Sequence, residues 1–163
     1  EFAHRFEYIN AHAVESRTGL EHIAAFAAGD RGYAIDKKII GEADLVIFAL
    51  YPHTFVEWIE QNQQFLKSGA LITDVTGVKG NIVYKIQDIL RSDVEFIAAH
   101  PMAGREVYGV ENSKKDLFLG ANLIITPTTS STEKAIEIVR EIGKLLGFKN
   151  IVNLSFFNAL RKK

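Results

Sequence analysis

The sequence predicts an α/β fold: a doubly wound, mostly parallel sheet with helices on both faces. Three observations predict it. Four short apolar runs are continuous rather than alternating, the pattern of strands covered on both sides. The segments between them repeat apolar residues at helical spacing. Strand and helix patterns alternate along the chain, which favours parallel strands joined by right-handed crossovers.

The clearest strand is residues 44–50, followed by 70–74, 95–99 and 122–126. Residues 6–9 and 150–152 are weaker candidates for outer strands. Phe55, Trp58, Ile59, Phe65 and Leu66 form one helical apolar face. Ile82, Val83, Ile86, Ile89 and Leu90 form a second, and Ile136, Val139, Ile142 and Leu146 a third. Ser130 with Glu133 three residues later makes a capping box for that last helix, and Gly147 makes its stop. Gly19, the first glycine, falls within a helix-like stretch. No internal repeat or low-complexity segment is visible.

The chain has 163 residues, 47% hydrophobic and 24% charged, which is one domain with the start of a second. The domain is placed at residues 1–153, and residues 154–163 open a helical segment. A formal charge of -1 favours neither nucleic acid nor an anionic membrane as partner. The absence of cysteine excludes disulfides, thiolate catalysis and Cys-ligated metal. No apolar run approaches the roughly 18 residues that span a bilayer, and no signal-peptide pattern opens the chain. A cytoplasmic protein is expected. No H-E-x-x-H or G-x-S-x-G occurs, so no catalytic metal and no α/β-hydrolase serine are expected.

Three stretches carry candidate chemistry, each where a strand gives way to a loop. In open α/β sheets ligands bind outside the carboxyl ends of strands. The first stretch is His100-Pro101-Met102-Ala103-Gly104-Arg105-Glu106. Pro101 is expected to end the strand ladder, leaving His100 at the rim as a proton acceptor. A lone histidine in such a place is more often bonded to a nearby carbonyl. The polar loop between Gly104 and Gly109 shifts the balance towards chemistry, and Arg105 is suited to clamp a carboxylate. The second stretch is Asp74-Val75-Thr76-Gly77-Val78-Lys79-Gly80. Its amides, Thr76 and Lys79 suit an anionic or polar ligand. A plain strand-to-helix turn with Thr76 as cap explains it equally well. The third is Ala49-Leu50-Tyr51-Pro52-His53, placed to lie against a cofactor, with His53 as an ordinary first-turn residue.

These stretches resemble the prephenate dehydrogenase family, which includes arogenate and cyclohexadienyl dehydrogenases. The resemblance is carried by residues 43–49, by Thr73-Asp74-Val75-Thr76-Gly77-Val78-Lys79 and above all by His100 to Glu106. It continues through Gly109-Val110, residues 117–122 and Thr126-Pro127, and covers roughly residues 30–152. It implies a Rossmann-type nucleotide-binding domain followed by a helical domain that pairs subunits into a homodimer. It implies oxidation of prephenate or arogenate with NAD or NADP, loss of carbon dioxide, and a place in tyrosine biosynthesis. By resemblance His100 is the catalytic histidine. Thr76, Gly77, Arg105 and Glu106 are substrate-binding, and Asn10, Ala49, Leu50, Tyr51, Pro52 and Asp74 are cofactor-binding. Asn10 stands where many NAD enzymes place an acidic residue on the ribose.

Two departures bear on this. The family often has Gly-Ser where this chain has Thr76-Gly77, so the serine's role either passes to Thr76 or is absent. The first strand with its G-x-G-x-x-G turn and the helical domain are not seen, so the chain reads as truncated at both ends. Weak cofactor binding and little turnover are expected of this stretch alone. Competing assignments are another Rossmann-fold hydroxyacid or imino-acid oxidoreductase, and a non-catalytic dinucleotide-binding module.

Overall fold

The computed structural model describes residues 18–27, 37–77, 80–103 and 116–154. The expected strand at residues 6–9 and the site candidates Asn10, Arg105 and Glu106 lie outside the described residues. In chain order the elements are β1 (Ile23–Ala27), α1 (Lys37–Glu42), β2 (Leu45–Ala49) and α2 (Pro52–Asn62). Next come a 3-10 turn (Gln63–Phe65), β3 (Leu71–Asp74), α3 (Gly80–Ile89) and β4 (Glu95–Met102). β5 (Asn122–Thr126), α4 (Glu133–Leu145) and β6 (Asn150–Asn153) complete the series.

Among the described residues, six strands form one sheet in the order β1-β2-β3-β4-β5-β6. β1 to β4 are parallel, β4 and β5 antiparallel, and β5 and β6 parallel. Among the described residues the order never reverses, so one crossover hand puts α1, α2 and α3 on the same face. β5 and β6 run the opposite way while the order advances in the same direction. The same hand then sends α4 to the other face, and helices cover both sides of a mostly parallel sheet.

Alternation along the strands divides the core accordingly. Val46, Phe48, Ile72, Phe96 and Ala98 pack with Ile40 of α1, Phe55, Val56 and Ile59 of α2, and Val83 and Ile86 of α3. Phe48 lies 4.6 Å from Phe55 and 4.7 Å from Trp58, ring centre to ring centre. Leu45, Ile47, Leu71, Ile97, Ala99, Leu123 and Ile125 pack with Ile136, Val139 and Ile142 of α4.

Four local expectations are corrected. β1 was not anticipated: Ile-Ala-Ala-Phe-Ala is rich in the best helix former, yet pairing with β2 from Ile23↔Leu45 to Ala27↔Ala49 holds it extended. Gly19 is not inside a helix; its φ of 69° is a left-handed turn. The cap of α4 is Thr132 rather than Ser130, its hydroxyl accepting from the Ala135 amide at 3.2 Å. Pro101 does not end β4, which runs on through Met102. The ladder with β3 stops at Asp74↔Ala98, whereas pairing with β5 continues through His100↔Ile124 and Pro101↔Leu123. Proline is tolerated there because β3 has already ended on that side, so the strand is locally an edge.

Candidate active site

The parallel strands β2 and β3 end at Ala49 and Asp74, and β4 projects beyond them. This stagger builds a ledge at the carboxyl rim of the sheet. His100 stands on it. The alternation that sends Phe96 and Ala98 towards α1–α3 sends His100 the same way, while Ala99 and Pro101 face α4. The imidazole is half-buried, and its Nδ1 has no access to solvent.

The ring rests on Gly77, the exposed residue at which the chain leaves β3 for α3. A Cβ added at Gly77 would sit 3.2 Å from His100 Cε1, 3.8 Å from Nδ1 and 3.9 Å from Nε2. The backbone of Gly77 is not left-handed, so no turn demands glycine here. A Cβ here would require the imidazole to give by a few tenths of an ångström.

Beneath this contact lies Asp74, wholly buried. Its Oδ1 accepts from the Ala99 amide at 3.2 Å, and its Oδ2 accepts from the Thr76 amide at 3.3 Å. The Thr76 hydroxyl donates to the same Oδ2. Thr76 is itself only 8% exposed. Thr76 is therefore neither a cap of α3, which begins at Gly80, nor a hydroxyl turned towards the rim. Its oxygen is engaged inward, with the acid. One residue earlier, the buried Thr73 hydroxyl donates to the Ile97 carbonyl at 2.7 Å, a second tie between β3 and β4.

The end of β2 forms the neighbouring part of the rim. Ala49 and Leu50 are half-buried, and Pro52 opens α2 at its first turn. The Tyr51 ring is 57% exposed and lies nearly parallel to the exposed His53 ring, 6.3 Å away. The structure thus brings His100, Gly77, Thr76 and Asp74 together and sets Ala49 to Pro52 along the same sheet edge. Among the described residues no group of three or more His, Asp or Glu side chains could hold a metal ion.

Residues 17–152 match the family model described as prephenate dehydrogenase, nucleotide-binding domain. The chain belongs to this family. The prephenate dehydrogenase of Bacillus subtilis (strain 168) is 30% identical over 125 residues, which is 75% of this chain and 34% of that protein. Among solved structures, Aquifex aeolicus prephenate dehydrogenase in complex with hydroxyphenyl propionate and NAD+ aligns at a TM-score of 0.66 and 30% identity. That alignment covers 73% of this chain and 40% of the Aquifex chain. The arogenate dehydrogenase of Synechocystis shares the fold, with a TM-score of 0.65 at 24% identity over 74% of this chain and 42% of that one. The chain thus spans about a third of the length of its Bacillus relative.

The fold is the α/β nucleotide-binding fold of these dehydrogenases, and His100 with Gly77 stands at the carboxyl rim of its sheet. Sequence reasoning placed Asp74 and Thr76 at the ligand. In the structure both are buried, and the Thr76 hydroxyl is bonded to the Asp74 carboxylate. A tie from a β3 side chain to a β4 amide leaves no local pattern in the sequence.

Proposed function

We propose that this chain supplies the nucleotide-binding part of an enzyme that oxidatively decarboxylates prephenate to 4-hydroxyphenylpyruvate, within tyrosine biosynthesis. The observation that carries the proposal is His100 standing over Gly77 at the carboxyl rim, in a chain of this family. The dinucleotide is NAD or NADP. The rim residues fit its rings: half-buried Ala49 and Leu50 offer an apolar floor, and the exposed Tyr51 ring offers a planar face. When bound, the nicotinamide accepts the hydride from the substrate carbon that bears the ring hydroxyl.

His100 holds the proton of that hydroxyl. Because Nδ1 is buried, Nε2 is the nitrogen assigned to the substrate. Drawing charge from the hydroxyl eases departure of the hydride from the same carbon. The carboxylate opposite then leaves as carbon dioxide, and its bonding electrons complete the aromatic ring. Gly77 lets the imidazole approach the β3 rim without a side chain between them. Arg105 and Glu106, carried over by family likeness, serve the substrate's carboxylates and the pocket mouth. Thr76 does not replace the hydroxyl that relatives carry at the next position, since its oxygen is bonded to Asp74.

The intact enzyme is a homodimer formed through a helical domain, and it works in the cytoplasm. No helix among the described residues is long and apolar enough to cross a membrane. The test is reduction of NAD+ and NADP+ by the intact enzyme with prephenate, arogenate and a panel of 2-hydroxyacids. Prephenate-dependent turnover with release of carbon dioxide supports the assignment. Turnover confined to hydroxyacids overturns it.

A further inference from the structure

We propose that Asp74 is the positioning residue of this site, its buried carboxylate holding His100 in place over Gly77. The inference rests on the assignment of His100 as the base and goes one layer beneath it. Asp74 has no exposed surface, and a carboxylate is kept out of water only where hydrogen bonds replace its hydration. Among the described residues, those bonds reach two particular neighbours. Ala99, bonded at 3.2 Å, immediately precedes His100, and Thr76, bonded at 3.3 Å through its amide, immediately precedes Gly77. The carboxylate therefore grips the backbone on both sides of the contact between the ring and the glycine.

It does so where the sheet stops helping. Register between β3 and β4 ends at Asp74↔Ala98, one residue short of Ala99. Beyond that point no ladder pair joins the two strands. The side chain carries the tie one step further than the backbone ladder does. An amide in its place offers one acceptor oxygen and turns an NH2 towards a donor, so it cannot satisfy both neighbours.

The experiment compares Asp74→Asn, Thr76→Val, Thr76→Ser and Thr73→Val. The nuclear Overhauser effect between the His100 ring and the Gly77 Hα protons is read in this chain, and kcat and KM for prephenate are read in the intact enzyme. Thr73→Val removes a buried bond between the same two strands, so it controls for general loosening. Asp74→Asn is expected to lose the ring–glycine signal and to lower kcat by about 10²-fold, the scale of a misplaced catalytic group, with KM little changed. Thr76→Val should weaken the signal and Thr76→Ser should keep it. Thr73→Val should lower the thermal midpoint and leave His100 in place.

The inference is overturned if Asp74→Asn keeps both the signal and the wild-type kcat, or if Thr73→Val displaces His100 equally. Should Asp74→Asn not fold, equal behaviour of Thr76→Val and Thr76→Ser overturns it. A wild-type enzyme inert towards prephenate would refute the proposed function, while the ring–glycine signal still judges the clamp.

Discussion

An imidazole serves as a base only when one nitrogen is aimed and the ring cannot swing aside. In the proposed role the neighbours of His100 place it: Nδ1 is enclosed, and the ring lies against Gly77. Gly77→Ala tests this directly. The added methyl would stand 3.2 Å from Cε1, closer than most real contacts, so the ring has to give by a few tenths of an ångström. The backbone at this exposed position accepts alanine, so stability should hold or rise by about 0.4–1 kcal/mol. Turnover should fall while the thermal midpoint does not. A midpoint that falls together with turnover would show instead that Gly77 serves the fold. The motif around His100 was legible in the sequence because histidine, proline and glycine follow an apolar run. The clamp beneath it was not, because only the fold brings the Ala99 amide to the Asp74 carboxylate.

At the scale of elements, β2 to β5 were legible because their apolar residues run without interruption, as burial on both faces demands. β1 and α1 were not. Alanines carry no strand signal, and α1 spans six residues with Ile40 its one buried side chain. The cap of α4 shows how distant groups settle a local choice. Ser130, Ser131 and Thr132 are adjacent candidates, but the Glu95 carboxylate accepts from both the amide and the hydroxyl of Thr132, at 2.6 and 2.9 Å. Thr132→Ala removes the cap and the hydroxyl half of this anchor to β4, leaving the amide bond to Glu95. It should lower stability by about 1 kcal/mol, read by denaturant unfolding, whereas Ser130→Ala should change it little. Equal losses from the two substitutions would restore Ser130 as the cap.

At the scale of the described molecule, the amino ends of the strands are tied electrostatically, and the proposed chemistry lies at the carboxyl ends. Asp44, at the start of β2, accepts from the Glu21 and His22 amides and pairs with Lys67. Burial pushes its carboxyl up, but Lys67 and the two amides outweigh that and leave it below its ordinary value. Arg91, joined by Ser68, holds the Asp93 carboxyl well below the usual range. A depressed folded value stabilises fully above the unfolded carboxylate range, near pH 4, and the contribution disappears as pH falls through the folded value. Thermal midpoints should therefore drop on acidification below about pH 4, and Asp44→Asn should flatten that dependence. An unchanged slope would remove Asp44 from the account. The central claim remains the imidazole at the opposite end of the sheet. Its most direct test is kcat and KM for prephenate-dependent NAD+ reduction by the intact enzyme and its His100→Asn variant. Loss of the base should lower kcat by roughly 10²–10⁴-fold while NAD+ binding, measured by calorimetry, is retained. A variant that turns over prephenate like the wild type would contradict the claim.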